Sequence, residues 1–458
     1  MKNWLNQYFG IEAANSTIKR EFTGGLTAFL SMSYVIFVNP IVLGRAGMPE
    51  DAVFMATILS SAIGMLIMGF YAKFPMGVAP CMSMNAFFAF SVVIGMGMPW
   101  QTALASVLVA AILFLILSLS GFREKLTLAI PQTIKQAGNV GLGIFIAFVS
   151  FKNSGIIVPD ESMFIAFGGF KDPNVIIAIV GIVTAAFFLI RRNRYAVFFG
   201  MLGAAVCGLG LRFMADAGIL VMGAETLASL PQLPAGSPVI IPTVPFQSML
   251  DHTFLVAIKE IPNLFNPQGI MVVLIFLFLD FFGASTTLSA AASQIDDVPA
   301  ESFENNKKVY IADAIGVGIG GILGTSSLAP YIESVSGILA GARTGLMSVV
   351  TAGFFLLAAF FYPTLSLITS AVTTPAMVLI GIFMMQNVTN INWRGGFEEV
   401  IPAFITIIMM PLSGSVALGL TLGFVSYELC MIFAGRGKEL GPVMHFIALI
   451  SIAYMVTL

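Results

Sequence analysis

A chain of 458 residues that is 58% hydrophobic and only 10% charged falls far below the roughly 25% charge of a soluble domain, which excludes a water-surrounded globule. Its formal charge of −2 says nothing about partners, and no nucleic-acid ligand is expected. Cys81, Cys207 and Cys430 stand alone in apolar runs and His252 and His445 lie far apart, so buried thiols are expected rather than a disulfide framework or a metal centre.

Residues 1–22 are polar to amphipathic, carry no cleavable signal pattern and read as a cytoplasmic N-terminus ahead of a permanent first span. Apolar runs long enough to cross a hydrocarbon core then recur at 23–43, 51–71, 75–95, 99–121, 133–151, 173–190 and 196–213. A polar stretch follows at 214–268, spaced by Pro231, Pro234, Pro238, Pro242, Pro245, Pro262 and Pro267. Beyond it come 269–290, 309–323, 325–341, 345–361 and 365–386. The run 400–434 is interrupted at Pro411–Gly414, and 441–457 either spans or lies at the interface. The expected total is about fourteen, with the C-terminal runs leaving a range of roughly thirteen to fifteen.

Charge orients these spans. With the N-terminus in the cytoplasm and 400–434 a hairpin, only Arg45, Lys152, Lys171, Arg212 and Lys259 of the 21 basic residues fall outside. That is the asymmetry of a cell-membrane protein obeying the positive-inside rule. An odd number of crossings precedes 214–268, so a second set starts from the opposite face. The parity is that of an inverted repeat: 23–213, an extracellular connecting segment 214–268, and 269–458. The fifth and twelfth spans share Gly-Ile-Phe, in VGLGIFIAF (140–148) and VLIGIFMM (378–385). The third and tenth are both interrupted, by Pro75, Gly77 and Pro80 and by Gly324, Ser326 and Pro330. Broken helices at matching positions of two halves point to a solute site near the midplane.

The tenth span carries one carboxylate, Glu333, within a run rich in Gly, Ser and Thr, Gly324–Leu346. An ion at that depth costs at least roughly 2.5–3.5 kcal/mol and usually serves a solute pathway, although a structural ion pair is the plainer alternative. Asn85 reads as a site residue or as polar glue between helices. Asp280 divides evenly between binding and core stabilisation, Asp313 reads as structural, and Glu428 is expected to snorkel. Thr325, Ser326 and Ser327 offer hydroxyls to a solute or cap the next half-helix. Phe87 and Phe88 lie close enough to Asn85 to stack on a flat base. Gly316-x-Gly318-x-x-Gly321 fits the dinucleotide fingerprint without the strand–helix–strand unit that gives it meaning. No nucleophile–base constellation or phosphate loop is present in the sequence, so neither an enzyme nor a cofactor is expected.

From about Phe22 to Gly435 the chain resembles the adenine/guanine/hypoxanthine permeases, the AzgA-like branch of the nucleobase–ascorbate transporter superfamily. The resemblance rests on GGLTAFLSMSYVIFVNP (24–40), APCMSMNAFFAF (79–90), GTSSLAPYIES (324–334), GARTGL (341–346) and IPAFITIIMMPLSGSVALG (401–419). It implies an all-α polytopic fold of fourteen spans in a seven-plus-seven inverted repeat. A core domain (spans one to four and eight to eleven) would work against a gate domain (the rest), with short strands inside the third and tenth spans. It further implies import of purine bases, generally by proton symport, and a possible homodimer. On the family pattern Asn85, Glu333 and a carboxylate in the eighth span bind the base; in this chain Ser83 adds a hydroxyl beside Asn85. Glu333 and Asp280 are the candidates for coupling to a proton, or to sodium, as the core moves elevator-like. Two positions depart from the family. DFFGASTTL (280–288) keeps Asp280 but has Gly283 where a second Asp is usual, and Ser83 replaces a glycine. These departures leave open a permease of the same fold for another nucleobase or an anion.

Overall fold

The computed structural model describes residues 2–120, 131–160, 164–193, 195–220, 222–233, 245–292 and 307–457. The chain forms two compact units, each discontinuous in sequence: 1–138 with 245–359 and 391–458, and 139–244 with 360–390. The fold is mostly helical, as apolar segments require when no water is at hand to satisfy backbone N–H and C=O groups.

Among the described residues eight helical segments are long and apolar enough to cross a membrane: Ile18–Gly44, Glu50–Phe70, Trp100–Leu119, Gln132–Asn153, Pro173–Ile190, Ala196–Asp216, Leu346–Thr364 and Ser370–Asn390. Three shorter apolar helices join them, Met82–Gly95, Pro267–Leu277 and Leu418–Phe433. Several expected spans are broken. The first is two helices, Ile18–Met32 and Val35–Gly44, with i,i+3 bonds from Ile36 N–H to Ser33 O and Phe37 N–H to Tyr34 O at the break. The interrupted run 400–434 is likewise two helices, Phe397–Ser413 and Val416–Phe433, the second capped by Ser415 Oγ accepting from Leu418 N–H at 3.2 Å. These two pack on each other, and Pro442–Thr457 packs on the second.

In the second unit, helices Pro173–Ile190 and Ala196–Asp216 pack together and Ser370–Met385 lies against both. Asp172 caps the first of these by accepting from Asn174 N–H at 2.9 Å. The two glycines of the shared Gly-Ile-Phe motif face one another: a Cβ at Gly143 would lie 2.9 Å from Gly381 O, and one at Gly381 would lie 2.7 Å from Gly143 O.

Four expectations are corrected or filled in by the structure. The molecule is not purely helical outside its interrupted spans, because Ile157–Asp160 and Phe164–Phe167 form an antiparallel pair. The connecting segment is not an uninterrupted polar stretch. Its described parts hold helices Ala224–Ser229, Phe246–His252 and Val256–Glu260 and the 3-10 turn Ile261–Leu264. The cysteines are free but half-buried rather than enclosed. Glu428 does not snorkel alone; its carboxylate is paired with His445 Nδ1.

Candidate functional site

Two three-residue strands form the heart of the first unit. Val78–Pro80 leads into helix Met82–Ala86 and a π-helical turn, Phe87–Gly95. Leu328–Pro330 leads into a 3-10 turn, Ile332–Ser334, and helix Val335–Leu339. Proline accounts for both strands: Pro80 and Pro330 lack an N–H and push the residue before them into extended backbone. All six residues are buried, so the carbonyls and N–H groups must find partners within the protein. They find each other. The strands pair antiparallel, with Val78 opposite Pro330, Ala79 opposite Ala329 and Pro80 opposite Leu328. Cys81 N–H to Ser327 O and Tyr331 N–H to Gly77 O, each 2.9 Å, extend the ladder at its two ends.

A buried amide and hydroxyl network occupies one end. Asn85 Nδ2 donates to Asn39 Oδ1, and Ser326 Oγ donates to Asn85 Oδ1. Asn39 Nδ2 in turn donates to Thr57 Oγ1 at 2.6 Å and Thr325 Oγ1 at 2.8 Å. Asn39, Thr57, Asn85, Thr325 and Ser326 have no exposed surface. Asn85 and Ser326 are 241 residues apart in the chain, so the network joins the two strand-bearing segments through side chains as well as backbone. Close by, Asp280 Oδ1 accepts from Ser327 Oγ, while Asp280 Oδ2 has no partner among the described residues.

The other strand end carries the acid. Glu333 is half-buried, and its Oε1 accepts from Tyr34 Oη at 2.9 Å. Tyr34 stands at the break in the first span, its ring centroid 6.4 Å from that of Tyr331, and Tyr331 Oη donates to Pro80 O at 2.6 Å. The acid is thereby tied to both strands. Ser83 is half-buried with its hydroxyl 3.1 Å from Cys81 Sγ. Phe87 is fully buried and packs edge-on against Phe276 at 5.0 Å. The side-chain surroundings of Gly283 lie outside the described residues. No group of three His, Cys, Asp or Glu able to hold a metal occurs among those that are described.

Residues 19–422 match the Xan_ur_permease family, a permease family. The chain belongs to this family. Over its full length the permease is 38% identical to the guanine/hypoxanthine permease PbuG of Bacillus subtilis (strain 168), covering 99% of this chain and 100% of that protein. It is 32% identical to the adenine permease AdeP of Escherichia coli (strain K12), covering 99% and 96%. Among solved structures it is similar in fold to the transmembrane domain of a cyanobacterium bicarbonate transporter, BicA, with a TM-score of 0.56 at 15% identity, covering 89% of this chain and 97% of that one. The permease is a multi-pass membrane transporter of the nucleobase–ascorbate superfamily, and not an enzyme.

Of the residues singled out from sequence, Asn85, Thr325 and Ser326 meet in one network, Asp280 joins Ser327, and Glu333 stands at the opposite strand end. Sequence reasoning missed Tyr34, Asn39, Thr57 and Tyr331. An amide and a phenol inside the apolar first span, Tyr34 and Asn39 of SMSYVIFVNP, were the available signal.

Proposed function

We propose that the permease imports purine nucleobases across the cell membrane, by proton symport and with an elevator-like movement of a core domain against a gate. In this reading the N-terminus is cytoplasmic, and the spans number fourteen in two inverted sets of seven. The third and tenth are the ones interrupted by the paired strands. Glu333 accepts an N–H of the base in a charge-assisted bond, and Ser83 adds a hydroxyl. Asn85, Thr325 and Ser326, read from sequence as contacts to the base, belong to one hydrogen-bond network that holds the two strands together at one end, and Phe87 packs on Phe276 in the core. Glu333 and Asp280 are the carboxylates that couple proton and solute.

The antiparallel pairing of Val78–Pro80 with Leu328–Pro330 carries this reading, because it turns two distant segments into one element with an amide network at one end and a tyrosine-held acid at the other. The guanine/hypoxanthine and adenine permeases among its relatives support a purine as the solute. Uptake of labelled adenine, guanine, hypoxanthine, xanthine and uracil in a transport-deficient host tests it. At least one purine should accumulate saturably, and a protonophore should abolish the accumulation. Signals equal to empty vector for all five would redirect attention to other solutes of the same fold. Purine uptake indifferent to the protonophore would remove the proton.

A further inference from the structure

Glu21 is a carboxylate that the transport reading leaves unused. It sits in the first turn of helix Ile18–Met32 with no exposed surface, where negative charge complements the positive end of the helix. Its Oε1 accepts from Ser16 Oγ at 2.6 Å and from Arg343 N–H at 2.8 Å, and its Oε2 accepts from Thr344 N–H at 3.3 Å. Two of these donors are consecutive backbone amides of one turn. That turn joins helix Val335–Leu339, which follows the 3-10 turn bearing Glu333, to helix Leu346–Ala358. The Arg343 guanidinium closes the turn from the other side by donating to Ile338 O and Ala342 O at 2.6 and 2.9 Å.

The same first helix is fastened further along its length. Ser31 Oγ and Ser336 Oγ are 2.9 Å apart, and Thr351 Oγ1 donates to Gly25 O at 3.1 Å. Beyond its last residue comes Tyr34, which holds Glu333 directly. At 1.5 Å per residue, Glu21 and Tyr34 are about 20 Å apart along the span. One span therefore grips the acid-bearing segment at three separate places, through Glu21, Ser31 and Tyr34.

We infer that Glu21 is a positioning residue for substrate binding, its carboxylate fixing the Ala342–Thr344 turn against the first span and so setting the register in which Tyr34 meets Glu333. The inference rests on Glu333 being a solute contact. Holding that pair ready before the solute arrives lowers the cost of ordering it, so loss of the latch falls on affinity rather than on turnover. Glu21→Gln keeps the volume but turns an amide NH2 toward backbone N–H donors that need an acceptor. With labelled hypoxanthine, or adenine if that is the base carried, it should raise KM about tenfold and leave Vmax within about twofold. Glu21→Asp should recover part of the loss. In a Tyr34→Phe background Glu21→Gln should add little, because both changes act through one contact.

A wild-type KM at normal membrane abundance, or effects of Glu21→Gln and Tyr34→Phe that simply multiply, would overturn the inference. Should Glu21→Gln fail to reach the membrane, Ser16→Ala decides. It removes one of the three bonds and should raise KM by about two- to threefold, and an unchanged KM there overturns the latch. Glu333→Gln, run in parallel, separates the two ideas. Unimpaired uptake in that variant removes the site itself, whereas lost uptake beside a silent Glu21→Gln removes only the latch.

Discussion

A half-buried carboxylate needs donors, and Glu333 has one in the Tyr34 hydroxyl at 2.9 Å. Glu333→Gln keeps the shape and removes the charge, so accumulation of the solute should vanish while membrane insertion stays intact. Uptake at the wild-type rate would take Glu333 out of the mechanism. Tyr34→Phe removes one hydroxyl and leaves the ring. A hydrogen bond to a charged group is worth about 1.5–3 kcal/mol, so KM should rise roughly 10- to 100-fold if that bond orients the acid for the solute. A change below about twofold would leave Tyr34 as packing only. Glu333 and Asn85 were legible in sequence because an acid and an amide stand out against an apolar run. Their partners were not. The Tyr34–Glu333 contact joins residues 299 apart, and a tyrosine in a hydrophobic span carries no local mark that distinguishes a hydrogen-bond donor from filler.

Proline and glycine punctuation made the interruptions at 75–80 and 324–330 readable, because both residue types act on the backbone that bears them. The break at Ser33–Tyr34 and the π-helical turn at Phe87–Gly95 have no such cause in their own residues. Ser91, inside that turn, accepts from Val416 N–H at 3.1 Å, a contact 325 residues away. Part of the connecting segment likewise acts on an element it does not adjoin. Thr253 Oγ1 donates to Leu323 O at 3.0 Å and Leu255 N–H to Ile322 O at 2.9 Å, satisfying end carbonyls that helix Lys307–Leu323 leaves open. The chain turns into the Thr325–Ser327 stretch at Gly324, where φ is +89° and the place of a Cβ is taken by the Thr253 side chain. Gly324→Ala should therefore destabilise the permease by about 1–3 kcal/mol. Thermal denaturation in detergent reads this as a lower midpoint, and a midpoint equal to wild type would show that the turn relaxes freely.

At the scale of the whole chain, the distribution of charge carries more than its sum. The few basic residues assigned outside include Arg212, just before the connecting segment, and Lys259 within it, while Arg436 and Lys438 follow the Phe397–Ser413 and Val416–Phe433 hairpin. Arg436 bridges Glu398 at 2.8 Å and Glu439 at 2.8 Å, gathering both ends of that hairpin at one level. The reciprocal approach of Gly143 and Gly381 brings the two copies of the Gly-Ile-Phe motif face to face. The orientation proposed from the charge asymmetry can be tested by chemistry at the surface. Asp251 and Lys438 are both exposed, and the proposed topology sets them on opposite faces. A cysteine at Asp251 should react with a membrane-impermeant maleimide on intact cells. One at Lys438 should react only after permeabilisation, with the unsubstituted chain giving the background of the half-buried Cys81, Cys207 and Cys430. The reverse pattern would invert the molecule. Labelling of both on intact cells would mean an even number of crossings between them, which a hairpin at 400–434 cannot accommodate.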